Sequence, residues 1–263
     1  MDLPSLPIAH QRAMALLSKP DANLQEIGSI AEADPGLTAS LLRASNSAAY
    51  APLKRVGTAH QAIIRIGTEM TRRIVATAAL STSFAAVKRA GIDANELWRF
   101  AVATGLLADA SAWADGPRTE AFTAGLLHPI GRMALAAAEP DRYRTVIDLV
   151  GREIELLEAE TMVFGFDSVE WGVQVATAWE FPPQIVKAIG ECQSEGASGL
   201  GWVVWNARRM AWSLGYGNGI ERPDDVAFDP KSEDASILAS LDGPEGLEQQ
   251  IRWYSGSSAS AAA

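Results

Sequence analysis

The sequence predicts an all-α protein, on three observations. Apolar residues recur at the three-to-four residue spacing of a helix face, and strand-like alternation hardly occurs. Capping residues precede these stretches, and glycine or proline closes them. The connections are short, which packs each helix on its neighbours in the chain.

The stretch "NLQEIGSIAEADPGLTASLLRASNSA" holds two helices. Asn23 and Glu26 have capping-box spacing, and Asp34 with Pro35 opens the second helix, whose apolar face is Leu37, Leu41 and Leu42. After the irregular "AYAPLKRVG", Thr58 caps a helix that buries Ala62, Ile63 and Ile66 and stops at Gly67. A longer helix over 68–90 turns Met70, Ile74, Val75 and Ala78 inward, with Arg72 and Arg73 outward or against a neighbour, and Gly91 ends it.

Asp93 opens a long amphipathic helix that buries Leu97, Val102, Leu106 and Leu107. "GPRTEAFTAGLL" leads to His128, and "RMALAAAEP" is a short alanine-rich continuation. "DRYRTVIDLVGREIELLEAETMVFG" reads as two helices broken near Gly151. Ser168 caps the next helix, and the pair Pro182 and Pro183 forces a new start at "QIVKAI". In "GWVVWNARRMAWSLGYG", Trp202, Trp205 and Trp212 share one side as core packing, with Arg208 and Arg209 toward another. Beyond Tyr216 the chain turns acidic, with short helices at "ASILASL" and "EGLEQQIRWY", and then a tail read as disordered.

With 263 residues, 48% of them hydrophobic and 21% charged, the chain has ordinary globular composition and room for one large domain or two small ones. The single cysteine, Cys192, excludes an internal disulfide and fits a reducing compartment. The start lacks a secretory pattern and no apolar run reaches membrane-spanning length, so a soluble cytoplasmic protein without membrane insertion is expected. A net charge of -10 argues against general nucleic-acid binding. The charge is uneven. Between Leu41 and Ala90 the only acid is Glu69, among basic residues that include Arg43, Arg65, Arg72 and Arg73. Residues 221–248 are strongly acidic. Solvated faces with attraction between the two regions explain this pattern, and an acidic or phosphorylated partner docking on the basic region is the alternative.

Taken together and in order, "DPGLTASLLRASNSAAY", "AIIRIGTEMTRRIV", "LWRFAVATGLLA", "AFTAGLLHPIGRMAL" and "GFDSVEWGVQVATAWEFPPQIVKAI" resemble the bacterial HDOD family, the HD-related output domains. The resemblance runs from about Leu3 to Ile189. It implies an amino-terminal helical bundle over 1–90 packed on an HD-like helical subdomain over 91–215. An acidic extension over 216–254 and a tail over 255–263 would follow. It also implies a role in signal output or regulation.

Working HD hydrolases hold divalent metals with converging imidazoles and carboxylates that activate water on a phosphate. By the resemblance, the ancestral ligand positions fall on Phe100, on His128 with Pro129, on Ser168 and near Cys192 and Gln193. Phenylalanine and proline have no side-chain lone pair to give. The expectation is therefore a protein that is not an enzyme and carries no metal or other cofactor. His128 would be an inherited residue at a helix end, its nitrogens bonded to backbone, with a ligand-reading role beside Arg132 as the alternative.

Arg43, Ser45 and Asn46 are polar residues that either hold the irregular segment after them or form a hinge or ligand contact. The candidate binding cleft comprises Arg43, Asn46, His128 and Arg132, and the candidate partner surface Arg65, Arg72 and Arg73. The expected partner is a protein in a bacterial signalling pathway. A residual phosphohydrolase, or a nucleotide or cyclic-dinucleotide sensor, is the alternative. Phosphate-loop and nucleophile-elbow patterns are missing from the sequence.

Overall fold

The structure is a computed structural model that describes residues 24–47, 50, 55–112, 118–223 and 233–256. Asn23, His10, Lys54 and the tail from 257 onward lie outside the described residues. Among the described residues every regular element is helical, and no helix is long and apolar enough to cross a membrane. The chain divides into two compact units, one of Ser5–Thr82 with Arg252–Ala263 and one of Met1–Pro4 with Ser83–Ile251.

In the first unit, α1 (Leu24–Glu32) packs on α2 (Pro35–Ser45), burying Ile27, Leu37 and Leu41. Asp34 caps α2 as the sequence predicts. Its Oδ1 accepts from the N–H groups of Gly36 at 2.8 Å and Leu37 at 3.0 Å, meeting donors that have no partner within the helix. Asn46 uses both ends of its amide on Val56, donating to the carbonyl at 3.0 Å and accepting from the N–H at 2.9 Å. It thereby ties the end of α2 to Val56, just before α3 (Ala59–Val87). Gly67 stops the first helical stretch of α3 as the sequence predicts: its backbone reaches φ 79° and ψ 171°, and a second stretch begins directly after it. Only glycine adopts that conformation without strain.

In the second unit, a 3-10 turn at Lys88–Ala90 precedes α4 (Ala94–Ser111). Asp93 caps α4 through Asn95 and Glu96 N–H, both at 3.0 Å. α4 is buried on nearly every side, more completely than an amphipathic pattern requires, because α5 (Arg118–Leu127) and α11 (Leu200–Ser213) both cover it. The α4–α5 crossing depends on two glycines. A Cβ on Gly125 would lie 2.8 Å from both the Gly105 Cα and the Thr104 carbonyl oxygen.

α6 (Ile130–Ala138) starts two residues after α5 ends and packs on α9 (Ser168–Ala178). Between them come α7 (Pro140–Val150) and α8 (Leu156–Phe164), an antiparallel pair. Asp167, not Ser168, caps α9: its Oδ1 accepts from Val169 and Glu170 N–H at 2.8 Å each, and Glu170 closes the capping box. Ser168 is released for a different bond, described below. α10 (Pro183–Glu191) starts at the second proline and rests on α9 and α11.

α11 differs from its expected orientation. Val203, Val204, Ala207, Met210 and Ala211 form its buried side, while Trp202, Trp205 and Trp212 are half-buried. Small and linear side chains sit at the close helix contacts, and the indoles cover the margin. The acidic helices α12 (Glu233–Ala239) and α13 (Gly243–Gly256) follow. Asp234 pairs with Arg209, and Glu248 holds Arg99 through two bonds, at 2.6 and 3.1 Å. Part of the acidic stretch is thus neutralised by arginines of α11 and α4.

The tightest approach in this unit is at Gly131, where a Cβ would stand 1.8 Å from the Ser168 carbonyl oxygen and 2.5 Å from the Gly172 nitrogen. Backbone cannot yield as a flexible side chain can. Gly131→Ala is expected to destabilise the protein by at least about 2 kcal/mol through forced separation of α6 and α9. Urea denaturation checks it, and an unchanged midpoint would show that the two helices move apart freely.

Candidate functional site

The residues at the HD-type ligand positions gather in the second unit. His128 sits in the two-residue turn between α5 and α6, 7% exposed. Its Nδ1 lies 2.6 Å from the Gly125 carbonyl oxygen. A carbonyl oxygen only accepts, so Nδ1 carries the proton and Nε2 keeps a lone pair. Phe100 of α4 meets the imidazole edge-on, ring centres 5.2 Å apart, and its other contacts are Trp212, edge-on at 6.4 Å, and the Arg208 guanidinium, 5.9 Å from the ring centre.

Burial pushes the His128 pKa down to about 3, and the positive charges of Arg208 and Arg132 add to this against the opposing bond to Gly125. The ring is therefore neutral at physiological pH. Cys192 is buried, and burial raises its thiol pKa against the opposing pull of Arg208 and Arg132. A protonated thiol is a poor ligand and a poor nucleophile.

One turn beyond His128, Arg132 is 5% exposed. Its Nε lies 3.5 Å from Oε1 of Glu160, a carboxylate with no exposed surface. Three helices serve that carboxylate. Arg132 of α6 faces it, Tyr143 of α7 donates its hydroxyl to Oε1, and the Ser168 N–H at the start of α9 donates to Oε2 at 2.7 Å. Burial tends to lower the Arg132 pKa, but Tyr143 and Glu160 outweigh it and the net shift is upward. Burial also drives the Tyr143 hydroxyl well above its ordinary value, so it remains a donor. Arg208 has its pKa lowered by burial and by Arg132, against weaker support from Cys192 and Glu221.

The expected site residues separate. His128 and Arg132 come together in the second unit, whereas Arg43 and Asn46 belong to the first. Arg43 is exposed and donates to Ser40 Oγ at 3.2 Å, while Asn46 is committed to Val56. Of the three arginines expected on a partner surface, Arg72 is buried at 7% exposure, Arg65 is half-buried, and Arg73 is ion-paired with Glu69 at 2.9 Å. Glu160, Tyr143 and Arg208 were not singled out by the sequence reading. The available signal was a glutamate one residue before the apolar end of "EAETMVF", two helices after a histidine-arginine pair.

A catalytic metal does not fit these residues. Phe100 and Pro129 offer no electron pair, and Ser168 contributes only its backbone N–H to the network described. Glu160 is engaged by three cationic or hydrogen-donating groups. Among the described residues no group of three or more histidines, cysteines or carboxylates is placed to hold an ion. An ion beside His128 would also face two guanidiniums.

The family model for the HDOD domain matches residues 3–194. The chain belongs to the HDOD family. This HDOD chain shares its fold with an HDOD domain protein of unknown function from Geobacter sulfurreducens, at TM-score 0.72 and 20% identity, over 98% of this chain and 93% of that one. A proposed phosphohydrolase from Shewanella amazonensis SB2B superposes at TM-score 0.67 with 22% identity, over 97% and 92%. A proposed signal transduction protein from Marinobacter aquaeolei VT8 gives TM-score 0.69 with 20% identity, over 96% and 60%. A curated protein of Treponema pallidum (strain Nichols) is 23% identical over 192 residues, which is 72% of this chain and 37% of that protein. The HDOD chain thus spans little more than a third of that relative's length, and at these identities the structural likeness is one of fold.

Two outcomes follow from the geometry. Glu160→Gln keeps the shape but leaves Arg132 buried without its counter-charge, so a loss of about 3 kcal/mol is expected, against about 1 kcal/mol for Tyr143→Phe. Equal losses in chemical denaturation would refute the ranking.

The second outcome concerns pH. Because the folded His128 pKa lies below the unfolded value of 6.5, its contribution to stability is complete above pH 6.5. It declines as pH falls toward 3, by up to about 1.4 kcal/mol per unit. Wild type is expected to lose more stability than His128→Gln between pH 6.5 and 4, and parallel stability curves would contradict a neutral buried ring.

Proposed function

We propose that this HDOD chain is a non-catalytic regulatory protein of bacterial signal transduction that acts by contact with a protein partner. The observation that supports it is electrostatic: where an HD hydrolase needs converging electron-pair donors, this chain has a buried, neutral imidazole under the influence of two arginines. The nearby carboxylate, Glu160, is committed to Arg132, Tyr143 and the Ser168 N–H. Activating a water on phosphate requires a cation held by lone pairs. Positive side chains around that point oppose it.

A regulatory domain without turnover acts by binding one arrangement of itself better than another. The half-buried cations of α3, Arg65 and Arg73, are the proposed contact points for an acidic partner, and the burial of Arg72 removes it from that surface. The name of the Marinobacter relative as a signal transduction protein accords with this role.

Elemental analysis after dialysis against manganese, iron and zinc is expected to find metal well below one ion per chain, unchanged by His128→Ala. Hydrolysis of bis-p-nitrophenyl phosphate is expected at the background rate. Stoichiometric metal and hydrolysis, both lost in His128→Ala, would establish a phosphohydrolase instead.

A further inference from the structure

α9 and α10 form a groove of about 580 Å³ whose lining includes none of the HD-type ligand positions. Phe181, in the segment joining the two helices, is its most buried apolar side chain at 5% exposure, and Val173 and Val186 flank it half-buried. Thr177, Pro183 and Gly190 line it as exposed residues, so the groove is open to solvent. Gly190 keeps space beside α9, since a Cβ there would come within 3.0 Å of Val173 Cγ2. The two charged residues of the lining, Lys187 and Glu191, are one turn apart on α10 and paired with each other at 3.6 Å, so the groove itself carries no net charge.

Its surroundings are acidic. Glu170 stands one turn before Val173 on α9, Glu180 comes directly before Phe181, and both are exposed. Glu120 of α5 is brought to the same end as Pro183 by Gln184, whose Nε2 donates to its Oε1 at 2.8 Å. None of these three carboxylates forms an ion pair among the described residues. On a chain of net charge -10, they attract a cationic partner and repel an acidic one. An apolar groove bordered by unpaired carboxylates complements a helix with an apolar stripe and basic flanks, whose anchors at helical spacing fill the groove while lysines or arginines meet the rim. An anionic lipid surface is repelled by the same carboxylates. A second copy of this chain brings further negative charge.

We infer that the α9–α10 groove is a docking site for a basic amphipathic helix of a protein partner. This rests on the reading of the chain as one that acts by protein contact, and it adds a contact in the second unit to Arg65 and Arg73 in the first.

The probe is a fluorescein-labelled Leu/Lys peptide of about four helical turns with its leucines on one face, titrated with the full chain and read by anisotropy. A Leu/Glu peptide of the same pattern is the control. The Leu/Lys peptide is expected to bind saturably, one per chain, and about tenfold more tightly than the control or better. Thr177→Arg places bulk and positive charge at an exposed position of the lining and removes only a hydroxyl bond to the Val173 carbonyl. It is expected to keep the wild-type melting temperature and to weaken binding by about tenfold or more. Glu180→Lys reverses one rim charge at a residue whose φ of 57° strains either side chain alike, and it provides a second, severalfold loss should the first variant not fold. No saturable binding by wild type, equal binding of the two peptides, or undiminished binding in either folded variant would overturn the inference. A wild-type dimer that Thr177→Arg converts to a monomer would overturn it too, because a second copy would then cover the groove. Each of these leaves the regulatory reading standing. Peptide binding together with metal-dependent hydrolysis would overturn the non-catalytic reading and leave the groove.

Discussion

A carboxylate with no exposed surface, Glu160, is the group on which the geometry of the second unit depends. Burying a charge is unfavourable by several kcal/mol unless donors replace the lost water. Here the donors come from three other helices: the Arg132 guanidinium, the Tyr143 hydroxyl and the Ser168 N–H. Sliding any of these helices away would expose the carboxylate to apolar surroundings. The Gly131 contact with the backbone of Ser168 and Gly172 reinforces this, because α6 and α9 are already as close as two backbones can be. Charge and close contact therefore select the same arrangement.

That arrangement decides what the neighbouring site can do. Glu160 neutralises Arg132, but no residue in contact neutralises Arg208. His128 lies within the field of both arginines and behind the Phe100 ring, so it remains uncharged. The acidic helices α12 and α13 are held by Arg209 and Arg99, one on the helix that carries Arg208 and the other on the helix that carries Phe100.

The helical class, most helix starts and the apolar faces of α2 and α4 were determined by the sequence alone, because caps such as Asp34 and Asp93 and three-to-four periodicity act within a few residues. The resemblance of ordered motifs carried the family, and with it the loss of electron-pair donors at Phe100 and Pro129. Tertiary packing decided the rest. Asp167 took the cap that Ser168 was expected to hold, because the Ser168 N–H faces Glu160 from a helix eight residues away. The tryptophans of α11 went to the margin because α4 and α10 approach too closely for indoles to fit between. Glu160, Tyr143 and Arg208 escaped sequence reading for the same reason: a buried charge is recognised by what surrounds it, and its surroundings come from segments far apart in the chain.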